Sequence, residues 1–537
     1  MKIVSVSEMR EIEQAADRMG WSYTQMMEMA GKGIAEWINQ HFKYFDGIKA
    51  LGLVGSGNNG GDTLIALTHL ALTGWTVIAY LVKDRSMEDP LCAKLIKAGG
   101  KIIRQKDDED RSQLDHYLHN AAICIDGILG TGFKPPLEQT TSDILQYISN
   151  KKLLPYILAV DCPSGCECDN GEVAEGTIRA DTTLCMAAMK QGLLKFPANN
   201  MVGHLEGIPI GLPPGIPVWE KIHRQVITKE FVQERMPVRK RDSHKGTFGT
   251  CLIVAGSINY TGAAYLAAKA AYRIGTGLVR MGVVGQIHQA LAGRIPEATW
   301  LLLPDEMGVI DEGGAEIIIK NLDRVTALLI GPGVGTEAAT VKFFRRLVEE
   351  KSSRKTRSSI GFVGEKDQPE GRRKEELPPM VVDADGLRIL SKIPGWHQLL
   401  PPQSVLTPHP GEMSVLTGLP IEEIQQHREE IAAKFASEWG HIVVLKGALT
   451  VIASPDGKIF INPVATSALA KAGTGDVLAG AIAGLCAQGI SSLHSAIIGV
   501  WLHAQAGLGA IDKVGHEASV MAADVAEALP DAISRMM

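Results

Sequence analysis

One unit recurs along this chain and limits its possible folds more than any other feature. It is a short, almost wholly apolar run, a loop rich in Gly and Asp, then a stretch of helical spacing. Ala50 to Val54 leads into GSGNNGGD, Gly55 to Asp62. Ala121 to Ile125 ends at Asp126, ahead of GILGTGFKPP, and Tyr156 to Val160 ends at Asp161, ahead of CPSG. Trp75 to Val82 and Ile102–Ile103 read as further strands, with Leu91 to Ala98 a helix between them. The unit returns later: Cys251 to Ala255 into GSINYTGAA, Ala327 to Ile330 into GPGVGT, Met380 to Val382 into DADGL, Ser404 to Leu406 into TPHPGE and Ile442 to Leu445 into KGALT. A strand with no polar face has no side to turn to water. Alternating with helices, such strands predict parallel sheets covered on both faces, an α/β layer sandwich.

At 537 residues the chain exceeds one ordinary core. The proline-rich stretch GLPPGIPVW, Gly211 to Trp219, marks a join. The expected organisation is a first domain over residues 1–213, a linker over 214–226 and a second domain over 227–537. Ser7 to Ile38 predicts two helices broken near Gly20, and Val451 to Ala453 with Ile459 to Ile461 a hairpin. Lys351 to Leu377, rich in both charges and without apolar period, reads as a surface insertion. The basic run Arg235 to Gly249 reads as a solvated loop. A net charge of −6 gives no footprint for nucleic acid. The opening MKIVSVSEMREIEQ lacks the apolar core of a secretory leader, and no apolar run is long enough to span a bilayer. A cytoplasmic, homo-oligomeric protein is expected, with no membrane or nucleic-acid partner. Cys162, Cys166 and Cys168 have no second pair at zinc spacing and read as reduced thiols.

In parallel sheets ligands bind beyond the carboxyl ends of the strands. In the first half that rim collects Asn59, Asp126 and Ser164, three side-chain oxygen donors suited to a hard cation, and leaves Asp161 for acid–base work. In the second half Leu469 to Gly480, LAKAGTGDVLAG, runs small residues into a helix start, where unpaired N–H groups hold anions. Asp476 would repel a phosphate unless it has a task of its own, such as taking a proton from an attacking hydroxyl. Singly, each Asp also reads as a loop or helix cap, and His409 between prolines as a residue that packs or caps a turn.

NNGGD, DGILGTGFKPP and VDCPSG, after an opening like SEMREIEQAA…MMEMAG, resemble the YjeF N-terminal family of NAD(P)H-hydrate epimerases over about Met1 to Pro213. The resemblance implies a Rossmann-like fold. It implies hydrate binding at Asn58, Asn59, Gly60, Gly61 and Asp62, at Gly130, Thr131, Gly132, Phe133, Lys134, Pro135 and Pro136, and at the catalytic Asp161. It further implies potassium at Asn59, Asp126 and Ser164. Thr63 stands where the family more usually has glycine, and Met29 where it has asparagine.

From about Ile227 onward, GSINYTGAA, GPGVGT, VVDADGL, LTPHPGE, VLKGALTVIA and AGTGDVLAG occur in the order of the YjeF C-terminal family. These are ADP- or ATP-dependent NAD(P)H-hydrate dehydratases of ribokinase-like fold. This resemblance implies hydrate contacts at Ala263, Gly335, His409 and the catalytic Asp476. It places nucleotide contacts at Lys446, Gly447, Ala448, Leu449, Thr450 and Gly475, with Mg2+ accompanying ADP or ATP. Together the two halves imply a bifunctional enzyme that interconverts the epimers of hydrated NADH or NADPH and dehydrates the S form at the expense of ADP or ATP. The alternatives are a small-molecule kinase of the hydroxymethylpyrimidine type in the second half and a binding module without activity in the first.

Overall fold

The computed structural model describes residues 1–42, 47–86, 88–353 and 377–537; most of the expected insertion at 351–377 lies outside the described residues. The chain divides into two compact units, Met1–Val226 and Ile227–Met537.

The first unit opens with two helices, Val6–Arg18 and Tyr23–His41, each started by a capping box: Ser5 with Glu8, and Ser22 with Gln25. Its sheet runs, from edge to edge, Lys101–Arg104, Thr76–Leu81, Lys49–Val54, Ile123–Gly127, Tyr156–Val160, Thr182–Met186 and His204–Ile208, all parallel. Alternate residues of one strand feed separate cores: Ala50 and Val54 face one, Leu51 and Leu53 the other. This is the Rossmann-like order, in which the chain reverses direction across the sheet between Lys49–Val54 and Ile123–Gly127. The crevice at that reversal is where such sheets bind ligands.

The stretch expected as a linker, 214–226, does not hang free. It forms the helix Pro217–Lys221 and the strand Arg224–Val226. Ile216 and Ile222 are buried in the first unit's core, with Val218 and Trp219 packed against it. Proline spacing signalled a connector, but the apolar residues between the prolines needed cover.

The second unit is built on a larger, mostly parallel sheet of its own. Its sheet runs Ile459–Ile461, Val451–Ala453, Ile442–Leu445, Val405–Leu406, Met380–Val382, Ala327–Ile330, Thr250–Val254, Leu278–Val284 and Thr299–Leu303. The pairings from Ile442–Leu445 onward are parallel, and the first two are the antiparallel hairpin. Here the reversal lies between Thr250–Val254 and Ala327–Ile330. The helix Thr474–Ala487 is buried over nearly its whole length. It packs so closely on Thr261–Arg273 that a Cβ on Gly480 would collide with the Ala267 carbonyl, which explains its Ala- and Gly-rich sequence. No helix among the described residues is long and apolar enough to cross a membrane.

Candidate active sites

In the first unit, the loops after Lys49–Val54 and Ile123–Gly127 meet at the reversal. The helix Asn58–Leu72 starts there with Gly57 as its cap residue and no side-chain cap, leaving its first N–H groups open to an anion. Gly60 must be glycine, because a Cβ there would collide with the Gly55 carbonyl. Ser56, Gly57 and Asn58 are exposed, whereas Asn59 to Asp62 are buried beneath them.

The structure gathers Asn59, Asp126 and Ser164, as expected. Asp126 lies inside its strand, not in the loop after it. Its carboxylate accepts the Ser164 hydroxyl at 2.6 Å and the Ser164 N–H at 2.8 Å. The Ser164 hydroxyl in turn accepts the Leu129 N–H at 2.9 Å. Asn59 Nδ2 donates to the carbonyls of Leu129 at 3.1 Å and Val160 at 2.5 Å. Burial pushes Asp126 above the ordinary carboxylate range, against the hydrogen bonds from Ser164 and Ile128. A fully buried carboxylate beside the Ser164 hydroxyl, with no cationic side chain paired to it among the described residues, offers the oxygen donors that a hard monovalent cation takes.

Asp161 departs from expectation: it is not free. Its carboxylate forms a buried ion pair with Lys190 and accepts the Met186 N–H at 2.9 Å. Asp161 sits at φ 68°, a left-handed conformation unusual for a residue with a side chain and of the kind held at functional sites. The Lys190 ammonium also donates to the carbonyls of Met186 and Ala188, each at 3.1 Å. Burial alone would lower Lys190, but the Asp161 carboxylate outweighs it and holds the ammonium above its usual range. Around this pair stand two further acids. Burial first, then the Asp161 and Glu13 carboxylates, push Asp62 well above its ordinary value, with Lys190 opposing. Glu13, on the first helix, is raised by burial against the pull of Lys190. Sequence reading missed both Glu13 and Lys190. Lys190 had a signal: it is the one charge in TTLCMAAMKQGLL, an otherwise apolar and small run. Lys190 lies in the short strand Met189–Lys190, and the strand Thr182–Met186 ahead of it was also missed, since no helix precedes it.

Of the Gly130 to Pro136 loop, Phe133 is buried, and Lys134 is an exposed ammonium ion-paired to the buried Glu167. Lys134 therefore ties the loop down. Thr63 is buried and donates to the Asn59 carbonyl at 2.8 Å, so the threonine supports the residue it follows. Met29 lies away from the crevice, lining a groove with Trp37 and Ile208. All eight cysteines are free and buried.

In the second unit, the ends of Met380–Val382, Val405–Leu406 and Ile442–Leu445 converge on the start of Thr474–Ala487. That helix has Gly473 as its cap residue, at φ 89°, and no side-chain cap. Asp476 is three residues further on, so the capping alternative does not hold. Lys446 bridges the strand ends: its ammonium bonds Asp383 at 2.7 Å and lies 3.8 Å from Glu412. A Cβ on Gly475 would be 3.3 Å from that ammonium, which places it at the helix start. Asp383 is buried and also accepts the Thr407 hydroxyl at 2.7 Å. Burial, then Asp383, with Asp385 and Glu412 adding and Lys446 opposing, raises Asp476 from 3.8 to about 7. Burial alone would lower Lys446, but Asp383 and Glu412 hold it up.

His409 caps the helix Pro410–Thr417: its Nδ1 accepts the N–H groups of Gly411 and Glu412 at 3.0 and 3.3 Å. Its Nε2 is 3.2 Å from Glu412, so it reaches the site through that acid. The Ala263 methyl lies against the Gly331 to Gly335 loop, where it would meet a Cβ on Gly333 at 2.9 Å, and the Gly335 N–H donates to Asp385 at 3.1 Å. The Lys446 to Thr450 loop presents Gly447 and Ala448 to solvent, while Leu449 is buried at φ 57°. Thr450 donates to the Gly447 carbonyl at 3.0 Å. No group of three or more His, Cys, Asp or Glu side chains is arranged to hold a metal among the described residues. Sequence reading named neither Asp383 nor Glu412 as site residues.

The chain was compared with known proteins. Residues 251–531 match the family model described as NAD(P)H-hydrate dehydratase, and residues 23–192 that described as YjeF-related protein N-terminus. The bifunctional NAD(P)H-hydrate repair enzyme Nnr of Moorella thermoacetica is 34% identical, over 99% of this chain and 96% of that protein. Its counterpart in Thermofilum pendens is 32% identical over 96% and 93%. Among solved structures, the ADP/ATP-dependent NAD(P)H-hydrate dehydratase from Bacillus subtilis co-crystallized with ATP/Mg2+ is 29% identical over 58% of this chain and 99% of that one, with a TM-score of 0.45.

Proposed function

The chain belongs to the bifunctional NAD(P)H-hydrate repair enzymes, and from that membership we propose how its two sites divide the chemistry. The enzyme epimerises NAD(P)H hydrates and dehydrates them to NAD(P)H with ADP or ATP. A hydrated nicotinamide carries a hydroxyl on the carbon next to the ring nitrogen, and the nitrogen lone pair helps expel it. In the first unit Asp161 protonates the departing oxygen and deprotonates the returning one, so the centre inverts. The buried Lys190 ammonium holds that carboxylate in place. Asp62 and Glu13, raised chiefly by burial, supply proton-bearing acids beside it. The open helix start at Asn58 receives the dinucleotide's phosphates, and the Gly130 to Pro136 loop, latched by Lys134 to Glu167, closes over the ring. Asn59, Asp126 and Ser164 would hold potassium, which supplies the positive charge that the buried Asp126 lacks.

In the second unit the nucleotide's terminal phosphate lies on the Gly473 to Gly475 amides beside Lys446, and Asp476 removes the hydroxyl proton as the oxygen attacks phosphorus. The bond from phosphorus to the nucleotide's bridging oxygen breaks, so the nucleotide leaves one phosphate shorter. Phosphate then departs from the ring carbon with the bonding electrons while the adjacent ring carbon gives up a proton, which restores the double bond of the reduced nicotinamide. Asp476 stands in the open first turn of Thr474–Ala487, where the Lys446 ammonium also arrives, and this geometry carries the reading; burial and the neighbouring acids raise its carboxyl to about 7, matched to neutral pH. ADP is the favoured donor, with Mg2+ travelling on its phosphates. The working form is read as a cytoplasmic homo-oligomer. The test is to incubate the protein with mixed hydrate epimers and ADP or ATP while following NADH absorbance and inorganic phosphate. A stable phosphate ester in place of NADH would assign the second unit to an ordinary kinase, and conversion stopping at one epimer would leave the first unit a binding module.

A further inference from the structure

Beneath the Lys446 to Thr450 loop lies an arginine that none of this chemistry uses. Arg428 opens the helix Arg428–Trp439. Its Nη2 donates to two successive carbonyls at the end of Ile442–Leu445, those of Leu445 at 2.9 Å and Lys446 at 3.3 Å. Its Nη1 donates to Gln425 at 2.9 Å. Its Nε is buried without a hydrogen-bond partner. A Cβ on Gly447 would lie 3.0 Å from both Nη atoms. The loop backbone is therefore laid directly on the guanidinium, and Gly447, at φ 149°, is the residue that permits it. Burial lowers the Arg428 pKa to about 10, with the neighbouring Glu429 carboxylate opposing.

Arg428 holds the loop by two carbonyl bonds and keeps a cation beneath it. The group it supports is the root of Lys446, whose ammonium reaches the start of Thr474–Ala487. We propose that Arg428 is a positioning residue for the nucleotide: it sets the Leu445 to Gly447 backbone and so aims Lys446. This rests on Lys446 to Thr450 being the nucleotide loop. A methionine keeps the side chain's bulk but loses the carbonyl bonds and the charge; a lysine keeps the charge and one bond.

The experiment measures KM for ADP, kcat for dehydration, the epimerase rate and the thermal midpoint in R428M, R428K and T450V. R428M should raise KM for ADP about tenfold with kcat changed less than about threefold, and R428K should fall between it and the parent. The epimerase rate on the same samples should not move. If R428M does not fold, R428K carries the test, with the same direction and a smaller rise. A KM unchanged in the arginine variants while T450V raises it overturns the role of Arg428 and leaves the nucleotide loop standing. A KM unchanged in all three overturns the loop assignment together with the inference. A lower midpoint with kcat reduced and KM untouched would make Arg428 a structural residue only, and also overturns it.

Discussion

Replacing Asp476 by Asn should cost the enzyme its dehydration chemistry and make its fold more stable. The carboxyl rises from 3.8 to about 7 because burial and the neighbouring acids oppose its charge. In the unfolded chain it loses its proton near the ordinary value, whereas in the folded chain it keeps it until about 7. Between those values the native state binds more protons, so the parent loses stability as pH rises through that window and no further above it. The shift, about three pH units at about 1.4 kcal/mol each, sets a ceiling of about 4 kcal/mol. An amide avoids the ionisation cost but gives up the attraction to Lys446, so a gain of about 1–3 kcal/mol is the reasonable outcome. For a unit of this size that is a rise of about 2–10 °C in unfolding midpoint. The gain should be absent near pH 4, grow towards pH 7 and level off above it (roughly the interval between the two pKa values). Dehydration should fall about 10²- to 10⁴-fold, and the parent's rate should rise with pH through about 7 as the base loses its proton. Scanning fluorimetry across pH, beside an NADH recovery assay and an epimer exchange assay, reads all of these. An Asp476→Asn protein that dehydrates near parental speed, or whose stability difference does not change with pH, would refute the reasoning.

Three further outcomes follow from the first unit. Asp161→Asn should stop enzymic epimer exchange while one epimer is still dehydrated at the normal rate, so NADH recovery shows a burst equal to that epimer's share and then slows; recovery without a burst would count against Asp161. Lys190→Met should abolish exchange as well and destabilise the unit by about 3–5 kcal/mol, since it strands a buried carboxylate, and the double change with Asp161→Asn should restore much of that stability without activity. Potassium at about 100 times its Kd should stabilise the parent by about 2.7 kcal/mol and leave Asp126→Asn unmoved; an equal response in both proteins would remove the cation from that site.

The sequence by itself determined the architecture, because apolar runs without a polar face leave parallel sheets as the only way to bury both sides. It also determined the rims: Gly-rich loops at strand ends gave Asn59, Asp126, Ser164 and Asp476, and the structure brings the first three together and sets the last at a helix start. Local chemistry was legible where a motif is continuous in the chain. What the tertiary structure alone decided is the charge each acid sees. Lys190 reaches Asp161 from a strand 29 positions on, and Lys446 reaches Asp383 across 63. Such pairings depend on strand order, which spacing does not encode. The same holds for the stretch at 214–226, whose prolines suggested a connector while Ile216 and Ile222 entered the core. His409 shows the limit from the other side: its ring nitrogen caps a helix, as its neighbouring proline allowed, and only the fold puts Glu412 between it and Lys446. A residue's type fixes what it can donate or accept, but which partner it meets, and how little water remains there, are set by chain segments far from it in sequence.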